Sequence, residues 1–193
     1  GTEEMKEIHK FYDATYVAIG AHTDKKLGLE GEDSKNVISA VDMLREIGDG
    51  KYPDYTGKRV VVVGGGNVAM DCARTAIRAN AETVSIVYRR RQEDMTALPA
   101  EVEGAVAEGI ELVTLKAPLR VEADAEGNAC ALWVQPQIIG PVRGGRPSPR
   151  KANKPEERME CDIVLVAIGQ DIVSQPFADF GLATNWGRIV ANE

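Results

Sequence analysis

The sequence predicts an α/β fold, a parallel β-sheet flanked by helices with a small antiparallel β-hairpin or meander beside it. Three observations carry that expectation. Residues 59–63 (Arg-Val-Val-Val-Val) are a β-branched run with no polar alternation, the pattern of a strand buried on both faces. Three glycines follow, and then Ala69, Cys72, Ala73, Ala76 and Ile77 recur at helical spacing on one small-residue face. Strand-like and helix-like segments then alternate to Leu115, the order of a parallel sheet with crossover helices.

Taken along the chain, residues 14–20 (Ala-Thr-Tyr-Val-Ala-Ile-Gly) read as a short buried strand ending at a glycine. Val37, Ile38, Val41, Leu44 and Ile47 predict a helix, capped by Ser34 or Asn36 and stopped at Gly48 or Gly50. Pro53 and Gly57 mark the connection into the valine strand. Residues 83–88 form the second strand of the unit. Pro99, suited to a first helical position, opens a helix that carries Val102, Ala105 and Val106 and closes at Gly109. Residues 112–115 are a third strand. Residues 119–123 and 129–135, with Gly127-Asn128 between them, read as an antiparallel hairpin. Residues 140–157, rich in Pro, Gly, Arg and Lys, read as a solvated surface loop, with a basic binding loop as the lesser alternative. Residues 162–169 are a last buried strand that echoes the first, Asp162…Ala167-Ile168-Gly169 against Asp13…Ala18-Ile19-Gly20. Residues 186–190 close the chain as turn and strand.

The 193 residues hold 30 acidic and 23 basic side chains, a net charge of −7, with 44% hydrophobic and 27% charged residues. That is the composition of a globular chain and excludes disorder. No stretch reaches the ~18 apolar residues of a membrane-spanning helix, and the acid excess argues against nucleic acid as a partner. The start of the chain lacks a charged lead and apolar core, so no secretory signal is read, and the expected location is cytoplasmic. Gly1 in place of an initiator Met reads as the mark of a cleaved tag or of an excised fragment. Cys72, Cys130 and Cys161 are widely spaced without a Cys-x-x-Cys pair, and no metal site is predicted. Cys72 is expected to be an inert core thiol.

Gly64-x-Gly66-x-x-Ala69, directly after a buried strand and opening a helix, is a dinucleotide-binding fingerprint, which makes the expected sheet Rossmann-like. The first glycine permits the tight turn, the second lets the backbone approach a pyrophosphate, and the small third residue allows close helix–strand packing. Free amides at the helix start then face the anion, aided by the helix dipole. Specificity is written at the end of the second strand, where an NAD site carries Asp or Glu for the ribose 2′-hydroxyl. Here the strand ends Tyr88-Arg89-Arg90-Arg91, and guanidinium groups pair with a 2′-phosphate through charge-assisted bonds. The preferred cofactor is therefore NADP(H), with NAD(H) the lesser alternative, since Glu93 and Asp94 are close enough to neutralise arginines on a solvated surface. His9 and His22 lie outside the strand–helix core, and no catalytic residue is predicted. Hydride transfer between nicotinamide and flavin asks a protein only to align the cofactors.

Residues 64–72 (Gly-Gly-Gly-Asn-Val-Ala-Met-Asp-Cys) and 87–101 (Val-Tyr-Arg-Arg-Arg-Gln-Glu-Asp-Met-Thr-Ala-Leu-Pro-Ala-Glu) resemble the NADPH-binding domain of the glutamate synthase small subunit and related FAD-dependent pyridine nucleotide oxidoreductases. Residues 12–21 and 162–170 resemble that family's two crossover strands, so the similarity covers nearly the whole chain. The resemblance implies a single NAD(P)-binding domain over 1–193, excised from a two-dinucleotide-binding flavoprotein, with 12–22 and 162–193 at the junctions to an FAD domain. It implies hydride transfer between NADPH and FAD, and onward electron flow through iron–sulfur clusters or a large partner subunit. Gly64, Gly65, Gly66, Asn67 and Val68 are then expected at the pyrophosphate and Arg89 and Arg90 at the 2′-phosphate. Ala167, Ile168 and Gly169 are expected near the nicotinamide. Leu98 replaces the family's usual Met or Val before the proline, and Thr96 interrupts its pattern. A separate FAD fingerprint and cluster cysteines are lacking, so the fragment is expected to bind NADP(H), not FAD, and to be inactive alone. The alternatives are an NAD(H)-preferring relative and a non-catalytic nucleotide-sensing module.

Overall fold

Four consecutive valines after Arg59 form the central strand of the parallel sheet. In the computed structural model, which describes residues 2–191, the chain divides into two units, Lys26–Gly169 and a smaller one built from Gly1–Lys25 and Gln170–Glu193. The elements begin with α1 (Thr2–Phe11), β1 (Thr23–Asp24), β2 (Val37–Ser39), α2 (Ala40–Gly48), β3 (Arg59–Val63), α3 (Asn67–Arg78) and β4 (Thr83–Tyr88). There follow α4 (Pro99–Ala107), β5 (Glu111–Thr114), β6 (Lys116–Ala123), β7 (Ala129–Arg143), β8 (Arg146–Lys151) and β9 (Glu157–Glu160). The chain ends with β10 (Ile163–Val166), β11 (Gln170–Asp171), α5 (Gln175–Asp179), β12 (Thr184–Asn185) and β13 (Arg188–Ile189).

The larger unit is a five-stranded sheet of order β2-β10-β3-β4-β5, parallel throughout. Because side chains alternate along a strand, its central strand feeds two cores. Val60 and Val62 point into a layer with Ala69, Met70, Cys72, Ala73 and Ala76 of α3 and with Val102 and Ala105 of α4. Val61 and Val63 point the other way, into a layer with Val121 of β6 and Leu132 and Val134 of β7. Each valine so buried contributes roughly 1.5–3 kcal/mol. The Rossmann-like α/β expectation therefore holds, with the antiparallel strands as the second covering layer. In that layer β7 pairs antiparallel with β6, β8 and β9.

Three readings change. Residues 14–20 form no strand. They lack strand hydrogen bonds among the described residues, and Tyr16 is 93% exposed. An apolar run becomes a buried strand only where a sheet edge receives it, and the parallel sheet here starts at β2. The helix expected from Val37 begins instead at Ala40, because Val37 and Ile38 pair with β10, and Ser39 is the cap, accepting from the Asp42 amide at 3.3 Å. Asn36 is a joint rather than a cap. Its Nδ2 donates to the carbonyls of Ala129 and Asp162, and its Oδ1 accepts from the Ala129 amide. Finally, residues 140–157 are not loop alone. β7 continues to Arg143 and turns through Gly144 and Gly145, both at positive φ, into β8. Paired glycines at positive φ are the signature of a two-residue hairpin turn.

The helix from Pro99 forms as expected, with Val102 and Ala105 buried, while Val106 is exposed. In the smaller unit α1 packs with α5, where Thr2 Oγ1 donates to the Pro176 carbonyl and the His9 ring meets Phe180 edge-on at 5.8 Å. β1 pairs with β11, and β12 turns through Trp186 and Gly187 into β13, matching the turn and strand expected there.

At the base of β3 and β10, Asp162 Oδ2 accepts from the Arg59 amide at 2.8 Å and from Arg59 Nε at 3.0 Å, and Oδ1 accepts from Nη2 at 3.2 Å. The Arg59 hydrogen bonds hold the Asp162 carboxyl below its usual range. A depressed folded pKa gives stability that is complete above the ordinary carboxylate pKa and is lost as pH falls through the lower folded value. Asp162→Asn should therefore cost about 1 kcal/mol at pH 7. Urea denaturation should show the gap to wild type closing toward pH 3. Burial pushes the Cys72 and Cys161 thiols up to about 12, with Cys130 only part-buried. Titration with a disulfide reagent at pH 8 should reach Cys130 in the native protein and the other two only after unfolding.

Candidate functional site

β4 and β5 lie on one side of β3, while β10 and β2 lie on the other, so the strand order reverses between β3 and β10. In open parallel sheets the crevice beyond the carboxyl ends of the strands at such a reversal is where ligands bind. The glycine run and the 167–169 segment leave the sheet at that point, from β3 and β10 respectively.

The three glycines are required for different reasons. A Cβ at Gly64 would stand 2.3 Å from the Ala167 carbonyl oxygen. Gly64 is thus what lets the β3 turn close onto the end of β10, where the Ala167 amide donates to Val63. A Cβ at Gly65 would stand 2.5 Å from the Tyr88 ring. A Cβ at Gly66 would meet only Thr96 Oγ1, at 3.4 Å, with an ordinary backbone conformation (φ −105°). Gly64 and Gly65 therefore serve packing, whereas at Gly66 a Cβ would fit in van der Waals contact with Thr96 at the start of α3.

Gly66 caps α3 without a side-chain bond, and the amides of Gly66, Asn67 and Val68 have no acceptor among the described residues. Orphan amides at a helix start, with the dipole behind them, make an anion site. Residues 95–98 wall one side. The Gly65 carbonyl accepts from the amides of Thr96 (2.9 Å) and Ala97 (3.1 Å), and Asn67 Oδ1 accepts from the Leu98 amide at 2.9 Å. Beneath them the Tyr88 hydroxyl donates to the Asp94 carbonyl at 2.8 Å. Sequence reasoning missed Tyr88 as the support of this loop. The signal was there in the aromatic residue closing a strand opposite a glycine.

The arginines at the end of β4 separate into three roles. Arg91 is neutralised internally, its Nε and Nη2 donating to the two Asp94 oxygens at 2.9 and 3.1 Å and its Nη1 lying 3.1 Å from Glu93. Those bonds hold the Asp94 carboxyl below its ordinary range. Arg90 donates from Nε to the Pro147 carbonyl at 2.8 Å, and Arg89 is exposed. Neither Arg89 nor Arg90 has a carboxylate partner among the described residues. The two acidic residues that follow thus form ion pairs only with the third arginine among the described residues. Of the expected site residues, Gly64–Val68 and Ala167 are brought together at the strand ends, with Ile168 and Gly169 exposed just beyond. Arg89 and Arg90 flank them from the neighbouring strand.

Among the described residues no group of three or more His, Cys, Asp or Glu side chains is placed to hold a metal ion, and no helix is long and apolar enough to cross a membrane. Comparison with known proteins adds to this geometry. A family model described as pyridine nucleotide-disulphide oxidoreductase matches residues 2–193. The beta subunit of an NADPH-Fe(3+) oxidoreductase of Geobacter sulfurreducens is 40% identical over 171 residues, 86% of this chain and 25% of that protein. The glutamate synthase [NADPH] small chain of Escherichia coli is 32% identical over 177 residues, 86% of this chain and 38% of that protein. The chain thus spans well under half the length of these relatives. Mycobacterium tuberculosis FprA, solved in complex with NADPH, superposes with a TM-score of 0.74 at 20% identity, covering 97% of this chain and 57% of that one. Thioredoxin reductase of T. acidophilum follows with a TM-score of 0.65 at 18% identity, covering 86% and 47%. At such identities the two structures show a shared fold.

Gly65→Ala should destabilise the protein by about 1–3 kcal/mol, because the new methyl overpacks against the Tyr88 ring. Gly66→Ala should leave the unfolding midpoint within about 0.5 kcal/mol of wild type. Denaturant titration of the two variants checks the division of labour between them.

Proposed function

The chain belongs to the pyridine nucleotide-disulphide oxidoreductase family, and from that premise we propose that it is the NADP(H)-binding part of a flavoprotein oxidoreductase. The single observation that carries the reading is the pairing of free amides at the start of α3 with two arginines that no carboxylate neutralises. The donor set fits the group. Three unaccepted amides at a helix start suit a diphosphate, and guanidinium groups suit a 2′-phosphate.

Gly66, Asn67 and Val68 bind the pyrophosphate, and Gly64 and Gly65 shape the turn that presents them. Arg89 and Arg90 bind the 2′-phosphate. Ala167, Ile168 and Gly169 bound the nicotinamide end of the crevice. When bound, the nicotinamide supplies a hydride for an FAD held elsewhere in the same protein, and electrons pass on to an iron–sulfur or large partner subunit. The chain's own residues contribute alignment and exclusion of water, and no side chain of this chain transfers a proton in the scheme. Residues 12–22 and 162–193 are the junctions to the FAD domain. The run at 14–20 makes no strand and leaves Tyr16 almost fully exposed, which supports that role. The names of the two relatives, a beta subunit of an NADPH-Fe(3+) oxidoreductase and a small chain of an NADPH-linked glutamate synthase, support the NADPH assignment and a partner subunit. A cytoplasmic location is part of the proposal.

Calorimetric titration of the chain with NADPH and NADH tests the reading, and NADPH should bind at least about tenfold more tightly. Replacing Arg89 and Arg90 by Ala should remove about 10- to 100-fold of NADPH affinity and leave NADH unchanged. Equal affinity for the two nucleotides would return the site to an NAD(H)-preferring relative. Gly66→Ala should weaken both nucleotides alike, because it crowds the shared pyrophosphate.

A further inference from the structure

Arginines across the larger unit are neutralised by carboxylates, Arg59, Arg74, Arg120 and Arg158 among them. In a chain of net charge −7 that is the expected fate of a guanidinium. Four described arginines of this unit depart from it. Arg89, Arg90, Arg146 and Arg150 have no carboxylate within ion-pair distance among the described residues. Two lie at the end of β4 and two on β8, some 60 positions later, yet a hydrogen bond joins the two segments at Arg90 and Pro147.

The junction is Arg90. Its Nε donates to the carbonyl of Pro147, the residue next to Arg146. Its own carbonyl accepts from the Leu115 amide at 3.0 Å, and the Leu115 carbonyl accepts from Gln137 of β7 at 2.8 Å. The β7–β8 hairpin is therefore tied to the end of β4 through both the side chain and the backbone of one arginine. Using Nε on Pro147 also orients the guanidinium, and its two terminal nitrogens have no hydrogen-bond acceptor among the described residues. Along β8 the alternation of a strand puts Arg146, Ser148 and Arg150 on one face. The Arg150 side chain lies across Gly140 of β7, where a Cβ would come within 2.7 Å of its Nε. The stretch from Arg146 to Lys154 carries two further cations, Lys151 and Lys154, and no carboxylate.

We propose that the β7–β8 hairpin is the second arm of the 2′-phosphate site, with Arg146 and Arg150 acting beside Arg89 and Arg90 as specificity-determining residues for the phosphorylated dinucleotide. The proposal rests on the NADP(H) reading above and extends it to residues outside the dinucleotide fingerprint. Like-charged guanidinium groups gathered without counter-ions are stabilised by an anion that bridges them, and a dianionic phosphate monoester has three oxygens to share among them.

Titration of the chain with 2′,5′-ADP and with 5′-AMP isolates the 2′-phosphate. Wild type should bind 2′,5′-ADP at least about tenfold more tightly. The double variant Arg146→Ala/Arg150→Ala should lose about tenfold on 2′,5′-ADP and nothing on 5′-AMP, and the corresponding double replacement by Lys should recover part of the loss. Arg146 is half-buried and Arg150 exposed, and neither forms an ion pair among the described residues, so unfolding midpoints close to wild type are expected for either variant. If wild type prefers 2′,5′-ADP and the alanine variant keeps the whole preference, the hairpin has no part in the site and the NADP(H) reading stands without it. If wild type shows no preference, the phosphate assignment falls and the hairpin's role falls with it. Competition by inorganic phosphate at equal strength against both adenosine ligands would mark the four arginines as a general anion patch and overturn the proposal.

Discussion

Everything in the larger unit depends on β3 being covered on both faces. Val60 and Val62 require a layer on one side and Val61 and Val63 another on the opposite side. The helix layer meets the first demand with small residues, Ala69, Ala73 and Ala76 of α3, so the helix axis lies close to the sheet and starts at the end of β3. The antiparallel strands meet the second with Val121, Leu132 and Val134. Two-sided burial thus fixes where α3 begins. The start of α3 in turn determines where unaccepted amides face outward.

Close approach at the ends of the strands then limits what the site residues can be. Gly64 is pressed against the Ala167 carbonyl and Gly65 against the Tyr88 ring, so the turn is held by packing from two neighbouring strands. Gly66 alone has room for a Cβ, in contact with Thr96. A run of three identical residues therefore contains two positions fixed by packing and one that packing does not restrict to glycine. The three arginines at the end of β4 divide in the same way. Arg91 spends its charge on Glu93 and Asp94, which braces the turn carrying residues 95–98, and Arg90 is oriented by a carbonyl of the hairpin. Both divisions arise from contacts with segments distant in the chain.

How much was legible beforehand follows from that distinction. The valine strand, the fingerprint, the α3 face, the Pro99 helix and the 119–135 hairpin were readable, because each is written in local periodicity or turn chemistry. The buried strand at 14–20 was misread because apolarity states a need for burial without saying where it is met. The helix expected at Val37 was misplaced by three residues because Val37 and Ile38 serve β10, a partner more than 120 positions away. The β7–β8 hairpin was taken for loop because its prolines and cations masked the Gly144-Gly145 turn, although two adjacent glycines are themselves a hairpin signal.

By itself the sequence determined the chemistry available to this protein. It set a glycine-rich turn after a buried strand, basic residues in place of an acidic one at the end of the next strand, and small residues where helix and sheet approach. These are short-range instructions, carried by backbone sterics, helical spacing and charge. Only the tertiary structure decided which glycine packing leaves unrestricted, which arginine remains unneutralised, and that a hairpin some 60 residues downstream holds Arg90. Those outcomes depend on distances of a few ångströms between segments far apart in the chain, and such distances exist only once the two layers have closed on β3.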